Sequence, residues 1–270
     1  MSENTIRDKY RVLSETLSRN FDSHRILYSA KANTNISILK LMNKLGAYLD
    51  TVSPGEIYLA MEAGFQPDRI LFTGTMVRDD ELKFVLDSGV PVNVDSLSEL
   101  RRLLRIQTPE FLSVRINPEF GAGHHEHVIT AGRESKFGVW EREAIKAYAK
   151  AKEAGVKRFG IQMHIGSGIL EVEPYILALQ KLLEIARKIH VELDVTFELI
   201  DIGGGLGVPY RPGEKALNLD VLFDELSELF KLKVEEYKLG EPVFAVEPGR
   251  FLVCEAGVLL TRVNTVAVKP

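Results

Sequence analysis

The sequence predicts an α/β fold, a closed (β/α)8 barrel of the TIM type, and three observations carry that expectation. Short apolar runs alternate with stretches of helical periodicity along almost all of the 270 residues. Eight such runs occur in order, each separated from the next by a helix or a loop, as a parallel sheet requires. The length suits one barrel of ~250 residues. An open, doubly wound sheet is the alternative that the same alternation allows.

A helix over 4–17 precedes the first strand, 25–30 (RILYSA). Ile36, Leu39, Leu41, Met42 and Leu45 make a helical stripe that Gly46 breaks. The second strand is 47–52 (AYLDTV). Ser53, Pro54 and Glu56 then read as N-cap, first helical residue and capping-box partner of a helix that Gly64 ends. Strand 69–73 (RILFT) leads to a helix over 79–86, and strand 90–94 to a helix over 96–104. The fifth strand, 111–116 (FLSVRI), is followed by a long loop and a helix over 142–154. Strand 159–164 (FGIQMH) precedes a long helix over 174–189. Strand 197–202 (FELIDI) precedes a helix over 220–237, and 243–246 (VFAV) is the eighth strand. These elements make 1–255 one barrel domain. Residues 256–268 (AGVLLTRVNTVAV) fall outside the alternation and read as one or two strands; a lone apolar strand needs a partner to pair with.

Composition narrows the function. The formal net charge of −4 gives no basic footprint for nucleic acid. No apolar run approaches the ~20 residues that span a bilayer. With Cys254 the sole cysteine, no disulfide can form within the chain, which favours a reducing, cytoplasmic setting.

The residues that carry chemistry collect at the carboxyl ends of strands, where barrels place their sites. Lys31 closes the first strand among small neighbours. Desolvation there disfavours the charged amine and makes it a nucleophile, although a lysine at a strand end more often simply reaches solvent. Strand six ends in His164, Gly166, Ser167 and Gly168, a possible phosphate cradle or a plain turn. It is not the nucleophile elbow, because Ile165 and Ile169 stand where glycines are required. Strand seven ends in Asp201, followed by Gly203, Gly204, Gly205 and Gly207. Four glycines in five positions are costly in chain entropy, and a phosphate loop explains them better than a plain connection. Strand eight ends in Glu247, Pro248, Gly249 and Arg250. His124, His125 and His127 lie in a glycine-flanked loop without helical metal-ligand spacing, so no metal is expected. An amine, a glycine loop, an imidazole and a carboxylate at four strand ends together suggest a phosphorylated aldehyde cofactor, pyridoxal 5'-phosphate.

These motifs resemble, in order, those of the barrel-fold (alanine-racemase-like) pyridoxal-phosphate decarboxylases. The matching segments are 28–33 (YSAKAN), 50–56 (DTVSPGE), 134–138 (ESKFG), 164–167 (HIGS), 201–207 (DIGGGLG) and 247–250 (EPGR). Leu206 and the triplet Lys31, Ala32, Asn33 are most similar to the diaminopimelate decarboxylase branch. The resemblance implies that Lys31 carries the cofactor, that His164 stacks on its ring, and that Ser167, Gly203, Gly204 and Gly205 hold its phosphate. Arg250 would join the phosphate or face the substrate carboxylate, and Glu247 would pair with the ring nitrogen. Asp50 would touch the cofactor and Arg115 the substrate, in direct or indirect contact. A carboxylate beside the ring nitrogen keeps it protonated and makes a strong electron sink, whereas related racemases place an arginine there. The implied activity is conversion of meso-diaminopimelate to L-lysine and CO2 by a homodimer. The alternatives are a stand-alone pyridoxal-phosphate homeostasis protein, or a decarboxylase of ornithine, lysine, arginine or carboxynorspermidine. The family also has a second β domain, and residues 256–270 match its first strand. Cys254 and Glu255 are similar to a family Cys-Glu pair but lie too early in the chain to take its role.

Overall fold

Eight parallel strands close on themselves in sequence order, each hydrogen-bonded to its chain neighbours and the eighth to the first. The structure is a computed structural model that describes residues 1–119 and 135–268. Helix α1 (Glu3–Asn20) opens the chain, capped by Ser2, whose hydroxyl accepts from the Thr5 amide. The barrel then runs β1 (His24–Ser29), α2 (Ile36–Leu45), β2 (Tyr48–Thr51), α3 (Pro54–Glu62), β3 (Ile70–Phe72), α4 (Asp79–Asp87), β4 (Val92–Val94) and α5 (Leu97–Ile106). It continues with β5 (Phe111–Ile116), α6 (Glu141–Glu153), β6 (Arg158–Met163), α7 (Glu173–Leu193), β7 (Leu199–Asp201), α8 (Leu219–Tyr237) and β8 (Val243–Val246). A four-residue helix, α9 (Arg250–Val253), follows the last strand and has no counterpart in the sequence expectation. The open-sheet alternative is excluded by the closed ring. The loop with His124, His125 and His127, where no metal is expected, lies outside the described residues.

Most elements fall within a few residues of their expected bounds. Strands β3, β4 and β7 are shorter than expected, with three residues each. The capping box after β2 forms as the sequence predicts. Ser53 Oγ accepts from the Glu56 amide (3.3 Å), and Glu56 Oε2 accepts from the Val52 amide (2.7 Å). The same device recurs after β4. Ser96 Oγ accepts from the Glu99 amide and Glu99 Oε2 from the Asp95 amide. Both boxes pin the carboxyl end of a strand, which is where site residues must be held still.

The barrel interior is layered. Leu27, Leu71, Phe111, Leu199 and Ala245 form an apolar plug, with Tyr48 and Val243 packed against it. Strand side chains alternate faces, so two residues further along each strand the same interior becomes polar. Ser29, Thr73, Ser113, Asp201 and Glu247 follow the five plug residues at that spacing, and all are buried. The second core lies between barrel and helices and is mainly apolar, with Thr16, Glu99 and Ser227 buried among its helices. Residues 257–268 form neither helix nor strand, and their apolar side chains stand in solvent, Leu259 at 93 % exposure. No described residue offers them an edge to pair with.

Candidate functional site

Lys31 sits in a 3-10 turn (Ala30–Ala32) just past β1, with its side chain half exposed and its Nζ donating to Asp50 Oδ2 at 2.9 Å. Asp50, at the inner face of β2, is fully buried. It also accepts from Ser29 Oγ at 2.9 Å and from Thr73 Oγ1. This corrects the expectation of a neutral, nucleophilic amine. Desolvation alone would lower the Lys31 pKa, but the charges of Asp50 and Glu247 and the Asp50 hydrogen bond outweigh it, and the pKa is raised. The Asp50 carboxyl is lowered, because Lys31 and three hydrogen bonds overcome its burial. Lys31 is therefore an ammonium in the ligand-free site, held in position by its ion pair.

Opposite stands a second acidic group. Glu247 follows β8 and is 4 % exposed, with Gln162 Nε2 donating to both its oxygens at 3.2 Å. Burial, and then the nearby carboxylates Asp201 and Asp50, push its pKa well above the ordinary range. Asp201, at the end of β7, is completely buried, and Oδ1 accepts from the Gly203 amide at 2.8 Å. Burial first, and Asp50 beside it, push Asp201 up to about 7. His164 accepts from the Gly204 amide through Nδ1 (3.2 Å), which leaves the ring proton on Nε2. Burial, with Arg115 and Lys31 nearby, pushes its pKa down to about 3. His164 is thus a neutral, flat ring on the pocket wall, suited to lie against another aromatic ring.

The glycine loop is demanded by packing. A side chain on Gly204 would meet the Glu247 backbone carbonyl, and one on Gly203 the Met163 carbonyl. One on Gly207 would come 2.7 Å from the Ile169 carbonyl. Gly205 has φ +93°, and its added Cβ would lie 2.6 Å from the Gly166 carbonyl. Close approach of the β6, β7 and β8 ends is thus reason enough for the glycines, whether or not a phosphate is bound. That approach also builds a cavity of about 530 Å3. Lys31, His164, Ser167, Gly205, Glu247 and Arg250 all border it. Among the described residues no acceptor engages the amides of Ser167 or Gly205.

Two expected residues stand behind this wall. Asp50 and Arg115 do not border the cavity; Asp50 reaches it through Lys31. Arg115 is 8 % exposed, lies 3.6 Å from Asp95 Oδ1, and stacks on Phe137 at 4.7 Å. The 3.6 Å separation is too long to offset burial, which raises Asp95 and lowers Arg115. Gly203 and Gly204, expected at the phosphate, do not border the cavity either; they pack against the backbone of Met163 and Glu247. Arg250 reaches Tyr210 Oη, a neighbour that sequence reasoning did not name. It also missed Thr73 and Gln162. Gln162 had a signal: it is a polar residue in an apolar strand, two positions before His164 and so on the same face.

A closed barrel whose strand ends gather a paired lysine, a neutral imidazole, a buried carboxylate and glycine-rich loops around one cavity defines a barrel of the type that holds a phosphorylated ring cofactor. The family model described as "Pyridoxal-dependent decarboxylase, pyridoxal binding domain" matches residues 4–254, and the chain belongs to that family. Its cofactor is pyridoxal phosphate. The chain is 52 % identical over 268 residues to the diaminopimelate decarboxylase of Methanothermobacter thermautotrophicus, covering 98 % of this chain and 62 % of that protein. The corresponding enzyme of Thermoplasma acidophilum is 37 % identical over 90 % of this chain and 58 % of its own length. Among solved structures, diaminopimelate decarboxylase from Helicobacter pylori complexed with L-lysine superposes with a TM-score of 0.82 at 32 % identity, over 92 % of this chain and 63 % of that one. The enzyme from M. jannaschii in co-complex with L-lysine gives 0.83 at 30 %, over 93 % and 60 %. The chain therefore spans about three fifths of the proteins it matches.

The residues present fit that cofactor. An amine and a buried acid border one cavity, a flat neutral imidazole forms its wall, and Ser167 and Gly205 offer a phosphate amides that no acceptor among the described residues engages.

Proposed function

We propose that this chain is the cofactor-binding barrel of an amino-acid decarboxylase that converts meso-diaminopimelate to L-lysine and CO2. The observation that carries the reading is Glu247, a buried acid bordering the cavity that Lys31 enters. Lys31 would hold the cofactor, His164 would lie against its ring, Ser167 with Gly205 and Arg250 would take its phosphate, and Glu247 would face its ring nitrogen. When bound, the cofactor supplies an electron sink for the pair left behind by departing CO2. Glu247 keeps a proton at that nitrogen, and burial in a low-dielectric wall strengthens its hold. Asp50 fixes the Lys31 Nζ, and Arg115 places a positive charge behind the pocket that favours an anionic substrate. The printed names of the relatives favour diaminopimelate among amino-acid substrates.

The polar surface and the homologues fit a cytoplasmic enzyme, and no helix among the described residues is long and apolar enough to cross a membrane. The exposed apolar residues of 257–268 fit the start of a second domain and a homodimer. Incubation with pyridoxal phosphate, borohydride reduction and peptide mapping tests the cofactor site, with a single adduct on Lys31 expected. Scattered labelling of surface lysines would overturn it. Release of CO2 from meso-diaminopimelate, but not from ornithine, tests the substrate; release from ornithine alone would reassign it.

A further inference from the structure

Three side chains from consecutive strands meet beneath the cavity. Gln162 on β6 stands in register with Asp201 on β7. Gln162 Nε2 nevertheless reaches both oxygens of Glu247, beyond β8, so Asp201 is flanked by the two. Backbone bonds lock the arrangement. The Gly203 amide donates to Asp201 Oδ1, and the Glu247 amide donates to the Gly203 carbonyl, both at 2.8 Å. Asp201 Oδ2 is left completely buried, with no donor facing it among the described residues. The acidic side chain next to it is Glu247, brought close by the paired ends of β7 and β8 and by the Gly203 backbone that bonds to both residues. Two ionised carboxylates have only acceptors to offer each other, so a buried oxygen without a donor beside a second buried acid calls for a proton on one of the two.

We propose that Asp201 and Glu247 hold one proton between them in the cofactor-free protein, and that Asp201 is the positioning residue that keeps this proton available to a pyridine ring docking against Glu247. The inference deepens the reading given under Proposed function and rests on it for the identity of the ring. On docking, the O–H bond of the pair breaks and an N–H bond forms on the ring. The pair passes from one negative charge to two while the ring gains one positive charge, so no further reactant is needed.

The surrounding charges are compatible. Lys31 and Arg115 face the pair with positive charge and Asp50 with negative charge, while His164 next door is neutral. Burial raises both members of the pair, the direction a shared proton requires.

The test begins without any ligand. Infrared spectra of the full 270-residue chain at neutral pH should show a protonated carboxyl band. In difference spectra, which cancel the buried Glu99 carboxyl that burial also pushes up to about 7, the component of the pair should be lost from both D201N and E247Q, because an amide then donates to the surviving carboxylate and lets it ionise. No such band in the unmodified chain would overturn the proposal, whatever the variants do. The second readout uses pyridoxine 5'-phosphate, which has the ring and phosphate but no aldehyde to react with Lys31. Calorimetry in buffers of different ionisation enthalpy counts protons taken up at a pH just above the ring pKa of the free ligand. D201N should take up about one proton more than the unmodified chain, and equal counts would overturn the role of Asp201. A band present with no ligand binding would sink the cofactor reading while leaving the shared proton standing.

Discussion

Gly207→Ala isolates the geometry that holds the site together. Gly207 is buried, and its φ is one that alanine adopts freely, so the substitution carries steric cost without backbone strain. The new methyl would lie 2.7 Å from the Ile169 carbonyl oxygen and 2.7 Å from Leu170 Cδ2, short of ordinary 3.4 Å contact by 0.7 Å. The leucine can swing aside, but the carbonyl cannot. It accepts the Gly207 amide at 2.9 Å, within the bridge that joins the loop after β7 to the loop after β6. Overpacking of this kind costs about 1–3 kcal/mol, and weakening the buried hydrogen bond adds roughly 1 kcal/mol. Urea unfolding should therefore show a loss of about 2–4 kcal/mol. The same displacement parts Gly205 from Ser167, so affinity for pyridoxal phosphate should fall by about tenfold to a hundredfold. Gly55→Ala is the control. Its Cβ would meet nothing nearer than Ser53 Oγ at 3.9 Å, and it should gain about 0.4–1 kcal/mol. A Gly207→Ala protein within about 0.5 kcal/mol of its parent, binding cofactor equally well, would refute the packing argument.

Three other outcomes are expected. Lys31→Ala should eliminate the borohydride-fixed adduct and the visible absorbance of the bound cofactor, and an unchanged spectrum would remove Lys31 from the site. Glu247→Gln should spare cofactor binding, since Gln162 can still bond an amide, yet slow CO2 release severely; unchanged turnover would contradict its role at the ring nitrogen. His164 binds its proton far less readily folded than unfolded, with its pKa down from 6.5 to about 3. The unfolded chain therefore takes up a proton that the native state refuses. Stability is complete above 6.5 and declines as pH falls toward 3, by about 1–3 kcal/mol at roughly pH 4. In His164→Phe this decline should flatten, and an identical pH–stability curve for the two proteins would show that the ring is not held neutral.

The alternation, the order of the strands and the strand ends at which chemistry gathers are all legible along the linear chain. Those are local signals: period 3.6 against short apolar runs, Ser53 with Glu56 at a helix start, Gly46 at φ +91° after α2. Lys31, His164, Ser167 and Glu247 are legible there as well, because unusual residues at strand ends stand out against an apolar pattern. Closure of the barrel decided what those residues are. Lys31 reads as a depressed amine until β2 brings Asp50 to 2.9 Å from it. The glycines after Asp201 read as a ligand loop until the carbonyls of Met163, Gly166 and Glu247 press against them. Asp201 and Glu247 stand 46 positions apart in the chain, and only the neighbouring ends of β7 and β8 make them partners. Charge state, burial and carboxyl pairing depend on contacts across strands, and these exist only once the sheet has closed.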